Sequence, residues 1–411
     1  MPESPFKTVS FRQNSFIMIE GKADAADFFI IRAGKVQLSK EMKAIEDTST
    51  PSILGPGDFF GVISCMSSHN RMESAVALTD VSLIAIPRDH FATLIQKNAP
   101  IAMKIIRLFS HRLRFYDSEI TKLTLKDSSH VENIENLFQI GEYYFKLRQF
   151  NLATYVYKKY IKYLPSGNNV ATVKARLGTL GITNIDEAGI NLPANSLTQN
   201  YTDGSMIFCE NEPGEELYII QQGKVKITKI LSDKEVLLAV LKEGDIFGEM
   251  ALLENKPRTA SAIAYGDLVM LSVNKQNFEV MVVQKTQIAT RLIQLLSERI
   301  WTAHKQLANL LLKKPISRLY DTLLTQVEKI RIAIEHRATY TFEFGPKELI
   351  NMLGFAPQEG DPLINELFQN KKFTLVNGKI HCNDLEELQK QVEYYKKMEE
   401  LERNREKSSH S

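Results

Sequence analysis

"FGEMALLENKPRTASA", residues 247–262, sets an acid and an arginine nine positions apart on a turn of small residues. Gly248 suits a tight backbone ahead of a short helical turn from Glu249 to Leu253, whose free N–H groups favour an anion. Arg258 carries a planar fork that fits two oxygens of a phosphate. Glu249, when ionised, only accepts hydrogen bonds, so it calls for a hydroxyl donor. Thr259 and Ser261 add hydroxyls, while Ala251 and Ala260 leave room for close approach. On these grounds the stretch reads either as a sugar-phosphate site or as a surface Glu–Arg pair on a hairpin, which contributes little by itself.

Residues 60–75, "FGVISCMSSHNRMESA", repeat the stretch in register with Val62 where the acid stands. From Phe60 and Phe247 the two copies run ungapped at an offset of 187. Thus "TDVSLIAIPRDHF" (79–91) lies over "GDLVMLSVNKQNF" (266–278), and "IAMKIIRLFSHRLR" (101–114) over "IATRLIQLLSERIW" (288–301). Upstream, "FFIIRAGKVQL" (28–38) pairs with "LYIIQQGKVKI" (217–227) after a gap. A duplicated domain is the simplest account of such a period. Within a copy, "ELYIIQQGKVKI" reads as two strands around a Gly-centred turn and "VLLAVLKEGDIFG" as another strand and turn. From Asn277 to about Leu312 the pattern predicts one mostly uninterrupted amphipathic helix ending before Pro315, with Ile293, Leu296, Ile300 and Leu307 near helical spacing.

The 411 residues suggest two to four domains, and 44% hydrophobic with 24% charged residues describe a globular protein. A net charge of +2 gives no general attraction to nucleic acid or membrane. Cys65, Cys209 and Cys382 are widely spaced without a CxxC, which points to a reducing compartment and no disulfide framework. The opening "MPESPFKTVSFRQ" lacks the pattern of a signal peptide, and no apolar run approaches the roughly 18 residues of a membrane span. The expectation is a cytoplasmic protein with no membrane contact. No catalytic constellation and no metal-ligand spacing appear, so an enzyme is not expected.

The 247–262 stretch resembles the phosphate-binding cassette of cyclic nucleotide-binding domains, G-E-apolar-A-L, a spacer, then P-R-T/A-A. Every element stands here as Gly248, Glu249, Met250, Ala251, Leu252, Pro257, Arg258, Thr259 and Ala260. "DGSMIFCENEPGEELYIIQQGKVKI" (203–227) matches the family's opening strands. The resemblance implies that Glu249 takes the ribose 2′-hydroxyl. It gives the cyclic phosphate to Arg258, helped by backbone N–H groups of Met250 or Ala251 and of Thr259. The implied ligand is cAMP, with cGMP as the second choice because Thr259 offers a hydroxyl; no metal is implied. In the catabolite activator (Crp/Fnr) family, hydroxyl residues on the long helix read the purine. The corresponding positions here are Ala303 and His304, a departure that leaves Trp301, Thr302 and His304 as the candidates. The first copy keeps Gly61 and Arg71, but Val62 accepts no hydrogen bond and Glu73 brings a negative charge toward the phosphate position or onto Arg71. It reads as a degenerate pocket that does not bind a cyclic nucleotide, or as one whose Arg71 holds a different anionic ligand.

Between the copies, "IENLFQIGEYYFKLRQFNLATYVYKKYIKYLPSG" (134–167) carries Leu137, Ile140, Gly141, Tyr144, Ala153, Tyr157, Tyr160 and Pro165 at the spacing of one tetratricopeptide-like repeat. One unit cannot bury both faces, so it is expected to pack on a neighbour or on a protein partner. "GPKELINMLGFAPQEGDPLINELFQNKKFTLVNGKIHC" (345–382) resembles the winged helix-turn-helix of catabolite-activator-type regulators, with Gly354 in its turn and Gly378 in its wing. Its recognition helix, "PQEGDPLINELF", holds Glu359, Asp361 and Glu366 and no arginine, and tolerates Pro362 only in a first turn. Over 341–390, Lys347, Lys371, Lys372, Lys379 and Lys390 face eight acids. For a contact with DNA that leaves Gln358, Asn365, Lys371 and Lys372. The tail "YYKKMEELERNREKSSHS" is predicted to be a solvated helix that frays.

The expected fold class is α+β: two cyclic nucleotide-binding β-rolls (jelly rolls), each with a long C-terminal helix, a helical tetratricopeptide-like insertion and a C-terminal winged helix-turn-helix-like domain. The expected boundaries are 1–126, 127–195, 196–314, 315–392 and a charged tail at 393–411. Two functions follow: a cyclic-nucleotide-responsive transcription regulator, or a sensor that passes the nucleotide signal to a protein partner. The long helices pair either between two chains of a homodimer or within one chain as a pseudo-dimer.

Overall fold

The computed structural model describes residues 6–40, 51–125, 133–182, 198–231, 234–335, 337–355 and 357–408. By packing, the chain divides into one unit centred on Ile86–Ile300 and another made of Lys7–Ala85 with Trp301–Ser411.

In the first repeat, strands Lys7–Phe11, Val81–Pro87, Asp27–Ala33 and Phe59–Phe60 form one sheet. Phe16–Met18, Ser74–Ala77, Val36–Ser39 and Ile53–Leu54 form the other. Alternating side chains from both sheets, among them Phe29, Ile31, Val36, Leu83 and Ala75, close a shared apolar core, as expected of a two-sheet roll. A helical turn α1 (Val62–Ser67) follows the Phe59–Phe60 strand; α2 (Phe91–Lys97) and α3 (Ala99–Leu125) follow the roll.

The helical insertion comprises α4 (Asn136–Lys146), α5 (Phe150–Tyr163) and α6 (Val170–Thr179). α4 and α5 pack against each other closely because Gly141 has no side chain: a Cβ there would lie 2.5 Å from the Tyr157 ring. Glu142 accepts from Arg176 Nε and Nη2 at 3.0 Å and from the Tyr157 hydroxyl, tying α6 to the pair. The hairpin does find a neighbour. Its aromatic face shares a core with Met206, Cys209 and Ile263 of the second roll, and the Tyr155 hydroxyl donates to the Ile207 carbonyl at 2.9 Å.

The second roll is built on two long strands, Glu216–Leu231 and Ser261–Asn274. Thr198–Tyr201, Met206–Phe208, Lys234–Lys242 and Ile246–Phe247 complete its sheet. The predicted turn at Gly223 is instead a bulge inside one continuous strand, where the register with the partner shifts on both sides of Gln222. Gly223 is required there: its φ is +92°, and a Cβ would sit 2.3 Å from the Asp267 carbonyl. After α7 (Glu249–Glu254) and the roll come α8 (Lys275–Gln284) and α9 (Thr286–Leu310). The predicted uninterrupted helix is therefore broken at Lys285, whose backbone leaves the helical region at φ −123°, ψ 80°. The first repeat breaks at the matching Asn98, so the kink belongs to the repeat.

The C-terminal part runs α10 (Pro315–Lys329), strand Tyr340–Thr341, α11 (Pro346–Leu353), α12 (Pro357–Gln369), strands Phe373–Val376 and Lys379–Cys382, then α13 (Leu385–Ser408). The three strands form one sheet with Lys379–Cys382 central, and the hairpin turns on Asn377 and Gly378, both with positive φ. Gly354 ends α11 in the left-handed region. Leu349, Leu353, Leu367, Phe373, Ile380, Leu385 and Leu388 make the core. Two expectations are corrected here. Pro362 lies in the second turn of α12, not its first, because the helix already starts at Pro357. The tail helix is docked and not simply solvated. Tyr395 stacks on Tyr320 and Lys396 pairs with Asp321 at 2.9 Å. Glu399 is 0% exposed and accepts from the backbone N–H groups of Lys313 and Lys314 at 2.9 and 3.1 Å. Among the described residues no helix is long and apolar enough to cross a membrane, and no group of three His, Cys, Asp or Glu is placed to hold a metal ion.

Candidate nucleotide site

Gly248 precedes α7 with φ +78°, and a Cβ on it would lie 2.7 Å from an Arg258 nitrogen. Both the turn and the neighbour therefore demand glycine. Arg258, 4% exposed, is drawn back under the roll. Its Nη1 donates to the Gly248 carbonyl at 2.6 Å and its Nη2 to the Glu216 carbonyl at 2.8 Å. Its guanidinium lies over the Phe208 ring at 4.2 Å, with Tyr218 at 5.7 Å. Backbone bonds from Arg258 to Glu212 and from Asn211 to Arg258 anchor the residue to the 209–214 loop. The Nε–H is left buried with no hydrogen-bond partner among the described residues. Beside it stands Gly214, where a Cβ would lie 2.4 Å from Nε. A buried charged donor without an acceptor costs free energy, so this one marks a place where an acceptor belongs.

Glu249 is 1% exposed and is met by Arg299 from α9 at 2.5 Å. Sequence reasoning missed Arg299. The signal was present, for Arg112 of "SHRLR" occupies the same register as Arg299 of "SERIW". Met250, Ala251 and Ala260 are buried around the pair and Thr259 is half-buried, so Gly248 to Ala260 come together as expected. His304 is buried on the last turns of α9, within the other packing unit from Glu249 and Arg258. Nearby acids are perturbed: burial raises the Glu212 carboxyl, opposed by Lys159 and Arg258, and burial raises Glu210 to about 7.

The first repeat places the same parts differently. Gly61 again has φ +78°, and Arg71, 3% exposed, donates to the Asp27 carbonyl at 2.9 Å as Arg258 does to Glu216. The loop before that carbonyl, residues 23–26, is one residue longer than residues 213–215 of the second repeat. From it Asp24 reaches the Arg71 Nε at 2.8 Å, and its backbone carbonyl takes Nη2 at 2.7 Å. The acid that meets Arg71 here is thus Asp24, which the sequence reading passed over in favour of Glu73. Val62 is buried and apolar at the acid position. The position that stays open on Arg258 is filled on Arg71 by the chain's own carboxylate.

In the C-terminal part, Gln358, Asn365 and Lys371 are exposed, the first two on α12. Lys372 pairs with Asp384 at 2.9 Å, which offsets half of the lysine pair.

A glycine-started short helix with a buried arginine behind it recurs on both rolls, and only the second carries a buried acid at the helix start. The sequence matches the cyclic nucleotide-binding domain family over residues 8–98 and 198–285. Over those residues the chain carries two cyclic nucleotide-binding domains in tandem, and it is similar to regulators of the Crp type. It is 27% identical over 156 residues to the CRP-like cAMP-activated global transcriptional regulator of Mycobacterium tuberculosis, spanning 38% of this chain and 70% of that protein. It is 32% identical over 125 residues to the cyclic AMP receptor protein of Thermus thermophilus, 30% of this chain and 58% of that one. Over 82 residues it is 35% identical to the cAMP-dependent protein kinase regulatory subunit of Pyricularia oryzae, 20% of each. These relatives are regulators.

Proposed function

We propose that the second repeat binds a cyclic nucleotide, cAMP before cGMP, and that the first repeat is a pseudo-domain. Arg258 takes the cyclic phosphate and Glu249 the ribose hydroxyl. The observation that carries this is the unpartnered Nε of Arg258 with Gly214 beside it, set against the Nε of Arg71 closed by Asp24. A phosphate oxygen supplies the acceptor that Nε lacks. The relatives named for cAMP support this choice of base.

The nucleotide signal is proposed to reach a C-terminal winged helix formed by α11, α12 and the 373–382 hairpin, for transcription regulation. The reciprocal placement of the long helices supports an intramolecular pseudo-dimer. α3 of the first repeat packs on the second repeat's α7, and Trp301 of α9 stacks on His69 of the first repeat at 3.7 Å.

One observation favours a second reading, a sensor acting through a protein partner at the helical insertion. The Tyr155 hydroxyl of α5, bonded to the Ile207 carbonyl, also lies 3.3 Å from the Glu212 carboxylate, and the Glu212 backbone carbonyl holds the Arg258 N–H, so the insertion touches the loop beside Arg258. A gel-shift assay against a promoter library, with and without cAMP, decides between them. A nucleotide-dependent shift that is lost in Lys371→Ala/Lys372→Ala supports the DNA reading. No shift even at low salt overturns it in favour of a protein partner.

A further inference from the structure

Residues 311–314 join α9 to α10 outside any helix, and Lys314 supplies no side-chain cap to α10. The junction is closed from elsewhere in the chain. One oxygen of Glu399 on α13 takes the Lys313 N–H at 2.9 Å, and the other takes the Lys314 N–H at 3.1 Å. Glu402, on the same face of α13, meets the Lys314 ammonium at 2.7 Å. Toward the start of α13, Lys396 pairs with one oxygen of Asp321 at 2.9 Å. The other oxygen of Asp321 accepts from Asn309 Nδ2, on the last turn of α9, at 3.0 Å. Asp321 is 2% exposed, so a single buried carboxylate joins α9, α10 and α13.

The two halves of α13 are held by different forces. Its first half buries Leu385, Leu388 and Val392 in the C-terminal core. Past Val392, Glu399 is the only buried residue among those described. A helix docked for stability alone presents an apolar stripe to its support. This half instead presents a carboxylate to backbone N–H groups and a lysine to a buried acid, with one ring stack, Tyr395 on Tyr320. Lifting it uncovers little apolar surface, so it opens at lower cost than the core. We infer that the outer half of α13 is a strap: docked, it locks the α9–α10 junction, and lifted, it lets α10 turn against α9. Arg299, which meets Glu249, belongs to the same α9, so the strap stands at the far end of the helix that reaches the candidate site.

The test is hydrogen–deuterium exchange on the full chain and on its Glu399→Ala, Glu399→Gln and Lys396→Ala variants. It uses no ligand, so its outcome is separate from the cyclic nucleotide reading. In the unaltered chain the amides of Lys313, Lys314 and residues 393–402 are expected to exchange together, ahead of those of α11. Glu399→Ala removes both acceptors and is expected to speed the junction amides about tenfold or more. Glu399→Gln keeps one acceptor oxygen and is expected to fall between. Lys396→Ala leaves Glu399 in place, yet it is expected to speed the same amides, because strap and junction open as one unit. In every variant α11 and the 373–382 hairpin are expected to stay within about twofold of the unaltered chain. Unchanged junction amides in Glu399→Ala or in Lys396→Ala overturn the inference. Equal acceleration throughout 315–392 also overturns it, since α13 would then be a strut of the whole C-terminal fold.

Discussion

Gly214→Ala makes the sharpest demand on this account. The added Cβ would stand 2.4 Å from Arg258 Nε, 2.5 Å from its Cζ and 2.6 Å from the Ala251 Cβ. Ordinary carbon contacts begin near 3.5 Å, so about 1 Å must be found on two sides at once. Overpacking of this kind costs roughly 1–3 kcal/mol. Arg258 cannot yield freely, because its nitrogens are held at 2.6 and 2.8 Å by the Gly248 and Glu216 carbonyls. A guanidinium pushed off one of those bonds loses about 1.5–3 kcal/mol, and its Nε is covered in either case. We expect cAMP affinity to fall by about 10- to 100-fold, which is about 1.4–2.8 kcal/mol. Calorimetry reads the affinity, and a thermal melt separates lost binding from lost folding. Unchanged affinity in a folded variant would refute the placement of the phosphate at Arg258 Nε.

Other outcomes follow from single contacts. The lone tryptophan, Trp301, stacks on His69 with ring planes 11° apart. His69→Ala is expected to brighten and red-shift its emission and to cost about 0.5–1.5 kcal/mol; an unaltered spectrum would contradict the stack. Glu399→Ala strands the Lys313 and Lys314 N–H groups, so faster tryptic cleavage within α13 is expected, after a loss of roughly 1–3 kcal/mol. Asp117 titrates from 3.8 unfolded to about 6 folded, so the folded state holds its proton longer. Its stabilising effect is present below about pH 4 and is lost as pH rises through 6, a ceiling of about 3 kcal/mol from the shift. Asp117→Asn is accordingly expected to raise the melting temperature at pH 7.5 but not at pH 4.5. Equal effects at both values would contradict the burial of that carboxyl.

The two rolls and the cassette were legible because they rest on local, periodic signals. An ungapped repeat, Gly–Glu at a helix start and an arginine at fixed spacing need no tertiary knowledge. What was missed depends on residues far apart in sequence. Arg299 reaches Glu249 across fifty positions, and Asp24 reaches Arg71 from a loop whose single extra residue looks like an alignment gap. The Gly223 bulge was misread as a turn because a positive φ serves both, and only strand partners distinguish them. The tail was misread because its charged composition suggests solvent. Docking half-buries Tyr395 on α10 and buries Glu399 against the chain just before it.

The central claim is one working pocket on two rolls, and the stoichiometry of cAMP binding tests it most directly. Calorimetry on the full chain is expected to give one site per chain, abolished by Arg258→Ala and retained in Arg71→Ala. Two sites per chain, or one site lost on substituting Arg71 and kept on substituting Arg258, would contradict it.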